Sequence, residues 1–361
     1  MEQRELACRG CLLGLAVGDA MGYTVDKKSW AEICEDYGPN GLLGYDLANG
    51  CADITSYTQM TAFACNGLLL GVMRGNQDKY ARYMGLGLRE WLKSQQFRGA
   101  GEKTFCWLAQ VPEMRRRHCM DTRMLDALGR ETLGTPEKPV FHSTTPGAIT
   151  IPVAAGLLYD KAWMAQGVVS RLGAESVAFT HGDPESFLAG AVVAYVVAAI
   201  LKDPEKPLPQ QFLQAVEAVK SQFGEDYPQM ETVKSYVNRA VAFSKDVELS
   251  PLAAMSMLGC TTALECLAGA VYASVIHPAN FDEAVIVAVN HSGRSAAVGA
   301  LTGAILGAKL GAEALPDFYL ECLETAPVLE ELASDVAQGR QVMQLFDDSW
   351  DQKYVQGMPV K

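Results

Sequence analysis

Two polar segments, far apart in the chain, carry side chains that could bind a charged ligand. The first is ITSYTQM, which places Thr55, Ser56 and Tyr57 in a row. The second is AVNHSGRSAA at residues 288–297, in which Arg294 is the one charged side chain. An arginine presents a rigid fork of donors that suits phosphate or carboxylate groups, and neither segment contains a carboxylate. These residue types are suited to holding an anion.

The common catalytic motifs are absent from the sequence. The sequence has no GxSxG elbow, no P-loop, no GxGxxG after a strand and no HExxH pair. Its ten cysteines lie mostly in apolar segments, and no second CxxC pair accompanies Cys8 and Cys11 to complete a zinc site. The cysteine pattern favours buried free thiols in a reducing cytosol over a metal or disulfide role.

The elements that would position the polar segments are predicted to be helices. Apolar residues recur at helical spacing over Thr58–Met73, and the stretches Phe187–Lys202 and Ala297–Leu310 are apolar nearly all round. Further helices are predicted over Leu252–Ile276 and over Pro316–Ala337, whereas strand signals are scarce. We therefore expect an all-α fold in which buried helices are surrounded by amphipathic ones.

The opening helical segment contains glycines four residues apart. Gly14 and Gly18 in GCLLGLAVGDAMG would let a second helix approach closely, although glycine is a poor helix former in isolation. No long polar linker divides the chain, so a single domain over residues 1–361 is expected.

The composition limits the classes of partner. The chain has 361 residues and a formal net charge of −12, which argues against non-specific nucleic-acid binding and against docking on an anionic membrane surface. Its most apolar run, from Phe187 to Leu201, is shorter than the roughly 20 residues of a membrane span. No secretory signal is visible, so we expect a cytoplasmic protein.

Three segments in order resemble the ADP-ribosylglycohydrolase family. Residues 10–22, GCLLGLAVGDAMG, are similar to the family's opening GCLLGLAIGDALG, and ITSYTQM is similar to its ITDDTQM. The third segment, AVNHSGRSAA followed by LTGAILGA, is similar to the family's AVNHSGDSDS and TGALLGA. The resemblance covers about residues 7–335. It implies a single-domain orthogonal helical bundle that hydrolyses bonds to ADP-ribose.

The resemblance also implies two Mg²⁺ ions between the second and third segments, but the family's metal ligands are missing here. Thr55 matches the family threonine, whereas the two aspartates of TDD are Ser56 and Tyr57. The aspartates of DxDS are Arg294 and Ala296. Mg²⁺ takes mainly carboxylate oxygens, and burying it beside a fixed cation is costly. We therefore predict that the magnesium site is lost and that the protein uses no metal cofactor.

The candidate ligand-binding residues line the altered segments and the entrance of the central loop, by which we mean the stretch that leads into residues 146–159. They are Thr55, Ser56, Tyr57, His142, Ser143, Asn290, His291, Ser292 and Arg294. For Arg294 two interpretations stay open. Its guanidinium occupies the space of a metal ion and recognises an anion, or it reaches solvent or pairs with a nearby acid such as Asp53.

Asp26 is the candidate catalytic residue, because it stands near where many family members have a glutamate. It could act as a general base or contact a ribose, or it could be a solvated loop acid beside Lys27 and Lys28. Asp19 is expected to be structural, Asp53 to cap the following helix, and His181 to orient a turn.

Three functions remain open from the sequence. The first is a catalytically impaired family member that binds an ADP-ribose-like small molecule or an ADP-ribosylated protein. The second is an active hydrolase of ADP-ribosyl or related bonds that works by a metal-independent or altered mechanism. The third is a structural protein with no ligand.

Overall fold

The computed structural model describes residues 2–47, 50–96, 104–118, 121–159, 165–339 and 348–358, which form an all-α fold. The first helices are α1 (Glu2–Val25), α2 (Trp30–Tyr37), α3 (Ser56–Met73), α4 (Tyr80–Gln95), α5 (Thr122–Gly129), α6 (Pro152–Leu157), α7 (Gln166–Ala178) and α8 (Pro184–Lys202). They are followed by α9 (Leu208–Phe223), α10 (Met230–Phe243), α11 (Pro251–Leu258), α12 (Ala263–Ile276), α13 (Phe281–Val289), α14 (Ser295–Leu310), α15 (Asp317–Glu321), α16 (Ala326–Gln338) and α17 (Asp348–Tyr354). An isolated parallel β-bridge pairs Ala52 with Leu323. The all-α prediction is confirmed.

Helices α1 and α14 form the closest helix pair, which we call the glycine seam. They run antiparallel, and small residues face each other in four layers: Gly10 with Gly307, Gly14 with Gly303, Gly18 with Gly299, and Gly22 with Ser295. A Cβ atom added at any of these glycines would overlap a backbone oxygen of the facing helix. The spacing therefore lets the two backbones touch, as the sequence predicted.

Helix α8 forms the centre of the core. It is the one described helix long and apolar enough to cross a membrane, and 83% of its apolar window is buried inside the protein. It packs against α6, α7 and α9. Such burial on all sides is typical of a core helix.

Two predicted helices are each divided in the structure. The segment Leu252–Ile276 is broken where Gly259 and Cys260 adopt positive φ angles of 89° and 53°. Helix α12 then restarts at Ala263, because Thr262 and Glu265 form a reciprocal capping box. The segment Pro316–Ala337 likewise divides into α15 and α16, and Leu323 of the intervening turn takes part in the β bridge.

Candidate functional site

One end of the glycine seam forms the candidate site. Here α1 ends at Val25, α14 begins at Ser295, and the N-terminus of α3 packs beside them. Asp26 directly follows α1, and Arg294 occupies the N-cap position of α14. We use the term cleft for the region where Asp26, Tyr57 and Arg294 meet. The two polar segments, distant in sequence, are thus brought together.

Asp19 anchors the start of α3 to α1. Its buried carboxylate accepts hydrogen bonds from the backbone N–H and the hydroxyl of Thr55, at 2.9 and 2.7 Å. It also accepts from the N–H and hydroxyl of Thr58, at 3.1 and 2.6 Å. Burial raises the pKa of Asp19 to about 6, although these four hydrogen bonds oppose the shift. Asp19 lies within α1, six residues before its end, and its partners give it a structural role.

The cap of α3 is Thr55, whose hydroxyl oxygen accepts from the Tyr57 N–H at 3.2 Å. The prediction that Asp53 caps this helix is wrong. Asp53 instead lies beside Arg116, with 3.4 Å between Oδ1 and Nη1, and beside the His118 ring, with 3.5 Å to Nε2. A threonine cap supported by a buried carboxylate leaves Asp53 free to make these two contacts.

Ser56 and Tyr57 open α3 at the positions of the two family aspartates. Ser56 is half-buried, whereas Tyr57 is 5% exposed, and its carbonyl accepts a hydrogen bond from the Thr150 hydroxyl at 3.0 Å. Burial raises the pKa of the Tyr57 hydroxyl well above its usual range. At this position the cleft therefore has a neutral aromatic wall with a single hydroxyl.

Arg294 lies between the end of α1 and the start of α3. Its Nε atom is 3.4 Å from Oδ2 of Asp26, and its Nη2 atom is 3.5 Å from the Tyr57 hydroxyl. Its backbone N–H donates to the carbonyl of Cys260 at 2.8 Å. This hydrogen bond holds the backbone from which the side chain extends. The side chain is 27% exposed. Arg294 thus pairs with an acid, but the acid is Asp26 and not Asp53.

Asp26 connects the end of α1 with the first turn of α14 and with the Arg294 side chain. Its Oδ1 atom accepts from the backbone N–H of Ala296 at 3.3 Å, in the first turn of α14. Burial raises the pKa of its carboxyl group, and the Arg294 guanidinium opposes this shift. The next residue, Lys27, has a φ of 68° and donates its N–H to the Gly293 carbonyl at 2.8 Å. Asp26 is therefore not a solvated loop acid, and its catalytic role stays a prediction.

The residues before Arg294 make framework contacts. The Asn290 amide accepts from the Leu42 N–H and donates to the Leu42 carbonyl, both at 2.8 Å. The His291 ring is buried, its Nε2 lies 3.0 Å from the Ala288 carbonyl, and burial lowers its pKa to about 4. The Ser292 hydroxyl accepts from the Trp30 N–H at 2.7 Å. These contacts fix the α13–α14 loop, and ligand binding by the three residues stays a prediction.

The central loop contributes hydroxyl groups around a buried histidine. His142 is exposed, and the Ser143 hydroxyl lies 3.0 Å from that of Thr145. The Thr145 hydroxyl in turn lies 3.0 Å from Nε2 of His181, whose Nδ1 is 2.7 Å from the Thr180 hydroxyl. Burial lowers the pKa of His181 to about 4, so the ring is neutral at pH 7. Its two hydroxyl partners fix the orientation of the ring.

Sequence reasoning missed a charged cluster next to the start of α3. Arg116 pairs with both Asp53 and Glu324, and His118 lies edge-on to Tyr23 with 6.3 Å between ring centroids. The basic run from Arg115 to His118 was the available signal, but nothing in it indicated Glu324 as a partner.

The side chains of the cleft do not fit a pair of magnesium ions. The four positions that hold aspartate in the family present a hydroxyl, a phenol, a guanidinium and a methyl group. Among the described residues no group of three or more His, Cys, Asp or Glu side chains is placed to hold a metal ion. The guanidinium also pairs with Asp26, the nearest carboxylate of the cleft. This donor set disfavours a divalent cation.

Comparison with known proteins agrees with the geometry. The model of the ADP-ribosylglycohydrolase family matches residues 2–345. A solved structure titled ADP-ribosylglycohydrolase-related protein complex matches 94% of this chain and 100% of its own, with a TM-score of 0.56 and 20% sequence identity, which shows the shared fold. No curated protein matches the sequence significantly. Because the family model spans nearly the whole sequence, the chain belongs to the ADP-ribosylglycohydrolase family.

Proposed function

We propose that this chain is a family member that no longer performs two-metal hydrolysis and that binds an ADP-ribose-like ligand, free or attached to a protein. The observation that carries the proposal is the position of Arg294. Its guanidinium lies between Asp26 and Tyr57, where the two family segments meet. A fixed cation there takes over the charge of a metal ion without supplying a Lewis acid or an activated water.

The charge balance supports a binding role. Arg294 and Asp26 neutralise each other, and the exposed part of the guanidinium keeps donors available to a phosphate or carboxylate. The hydroxyl of Tyr57 and the half-buried Ser56 offer uncharged donors beside it. An anionic ligand would replace water at these groups.

The alternative proposal is a metal-independent hydrolase that uses Asp26. A buried carboxyl group with a raised pKa is the environment of a general acid, and Asp26 has both properties. Its ion pair with Arg294 opposes this role, because a neighbouring cation favours the charged carboxylate. The first proposal therefore has the stronger support.

Calorimetric titration with ADP-ribose in the presence of EDTA tests the binding proposal. We expect wild-type protein to bind and Arg294→Ala to lose about 10- to 100-fold in affinity, which corresponds to about 1.4 to 2.8 kcal/mol for a charge-assisted contact. Arg294→Lys should retain part of the affinity for ADP-ribose that Arg294→Ala loses. Arg130→Ala, which removes an exposed arginine paired with Asp126, is the matched control and should bind like wild type. Equal affinities of wild type and Arg294→Ala, or no binding by either, would overturn the proposal.

A hydrolysis assay on ADP-ribosyl-arginine separates the two candidates. The binding proposal expects no turnover above background with or without Mg²⁺. Turnover that is insensitive to EDTA and lost in Asp26→Asn would establish the alternative. Turnover that Mg²⁺ stimulates would contradict both.

A further inference from the structure

Cys51 and Cys322 occupy neighbouring positions on the two segments that form the β bridge. The bridge pairs Ala52 with Leu323 in parallel, and the Ala52 N–H donates to the Cys322 carbonyl at 2.8 Å. Each cysteine directly precedes its bridge residue. Paired strands lie about 4.8 Å apart, which is within the range of about 4.4 to 6.8 Å between Cα atoms that disulfides span.

The surroundings of these two thiols differ from those of most cysteines in the protein. Both side chains are half-exposed, as is Cys34, whereas the other described cysteines are buried: Cys8, Cys11, Cys65, Cys106, Cys260 and Cys266. The pKa of the Cys51 thiol is raised, chiefly by its hydrogen bond to the Glu324 carboxylate and to a smaller extent by the nearby Cys322 thiol. The two thiols therefore lie near each other, and both are partly accessible to solvent.

We propose that Cys51 and Cys322 form a redox-sensitive pair that closes into a disulfide under oxidising conditions. With oxidised glutathione, the Cys322 thiolate attacks one sulfur and releases the first glutathione thiolate. The Cys51 thiolate then attacks the Cys322 sulfur of the mixed disulfide and releases the second. Two protein thiols are oxidised and one glutathione disulfide is reduced to two thiols, which take up the two protons.

The position of the pair gives the disulfide a structural consequence. Cys51 lies four residues before the α3 cap Thr55, and Cys322 lies in the turn between α15 and α16. Arg116 already joins the same two segments through Asp53 and Glu324. A covalent link would fix the chain that leads into α3 and thus the wall of the cleft.

Peptide mapping of the oxidised full-length protein tests the pair. The background is Cys119→Ser, because Cys119 lies outside the described residues but follows His118 of the charged cluster. The protein is equilibrated with oxidised and reduced glutathione, acid-quenched, alkylated and digested. We expect a peptide that links Cys51 to Cys322 with the loss of two hydrogens. We also expect a thermal midpoint that rises by several degrees and returns on reduction.

Two single variants and one control define the outcome. Cys51→Ser and Cys322→Ser should each lose the linked peptide and the thermal shift, whereas Cys34→Ser, another half-exposed position, should retain both. Circular dichroism of the reduced proteins checks that the variants fold. The proposal is overturned if both thiols stay free to alkylation after oxidation. It is equally overturned if each thiol carries a separate glutathione, or if the link joins either cysteine to a different one.

Discussion

The glycine seam and the cleft share helices α1 and α14, and the cleft adds the start of α3, yet the two regions differ in how closely they resemble the family pattern. Along the seam, the small residues of GCLLGLAVGDAMG and LTGAILGA remain in place and in register. At the end of the seam, the four positions that the resemblance matches to family aspartates are Ser56, Tyr57, Arg294 and Ala296. The resemblance is therefore close along the seam and weak at the charged positions.

The difference follows from the two kinds of constraint. In the seam each glycine faces backbone atoms, so no side chain can be accommodated without separating the helices. In the cleft the family requirement is a balance of charge between carboxylates and metal ions. That balance can also be met by removing both and pairing one arginine with Asp26.

The largest expected effect comes from breaking the seam. Gly18→Ala places a methyl group onto the carbonyl oxygen of Gly299, which belongs to a buried backbone that cannot move aside. We expect a loss of at least about 4 kcal/mol in the free energy of unfolding, or insoluble protein. Gly44→Ala, at a site with no atom within 4 Å of the added Cβ, should stay within about 0.5 kcal/mol of wild type in urea unfolding. Similar stability of the two variants would contradict the packing argument.

The second-largest effect tests the hydrogen bonds through which Asp19 of α1 holds the start of α3. Asp19→Ala removes the acceptor of four hydrogen bonds. Two buried backbone N–H groups and two hydroxyls then lose this carboxylate as a partner. We expect a loss of about 2 to 4 kcal/mol in the free energy of unfolding. Asp19→Asn keeps one acceptor oxygen and should therefore lose less free energy of unfolding. If the alanine variant is as stable as the asparagine variant, Asp19 does not hold α3 in place.

A smaller effect concerns the loop beside the cleft and depends on pH. Burial lowers the pKa of His291 to about 4 from about 6.5 when unfolded, so the unfolded chain binds more protons between these values. Stability should therefore fall as pH falls through this window, by about 2 kcal/mol from pH 7.5 to 5 for this group. In urea unfolding, His291→Gln should lack this part of the decline, and His142→Gln, at an exposed position, should keep it. An unchanged pH dependence in His291→Gln would argue against a buried neutral ring.

The fold could be predicted from the sequence because its strongest signals are local. Apolar runs and glycine spacing indicated α3, α8, α14 and the close approach of α1. The breaks at Gly259 and Cys260 were missed, because a positive φ depends on the tertiary contacts of the turn. The role of Asp53 was also mispredicted, since its partner Arg116 lies in a segment with no helical pattern.

The candidate site could be predicted only in part. Motif order identified Thr55, Tyr57 and Arg294 as neighbours, and the structure brings the last two within 3.5 Å. The pairing of Arg294 with Asp26 instead of Asp53 could not be read from the sequence. It depends on where α1 ends relative to the first turn of α14, and this register is set by the seam.

Titration of Mg²⁺ into the wild-type protein by calorimetry, with and without ADP-ribose, tests most directly whether Arg294 has replaced the metal ions. A family member that retains TDD and DxDS serves as the positive control. We predict no Mg²⁺ binding at millimolar concentration and an affinity for ADP-ribose that EDTA leaves unchanged. Binding of about two Mg²⁺ ions per chain, as the family's site would hold, would contradict the account.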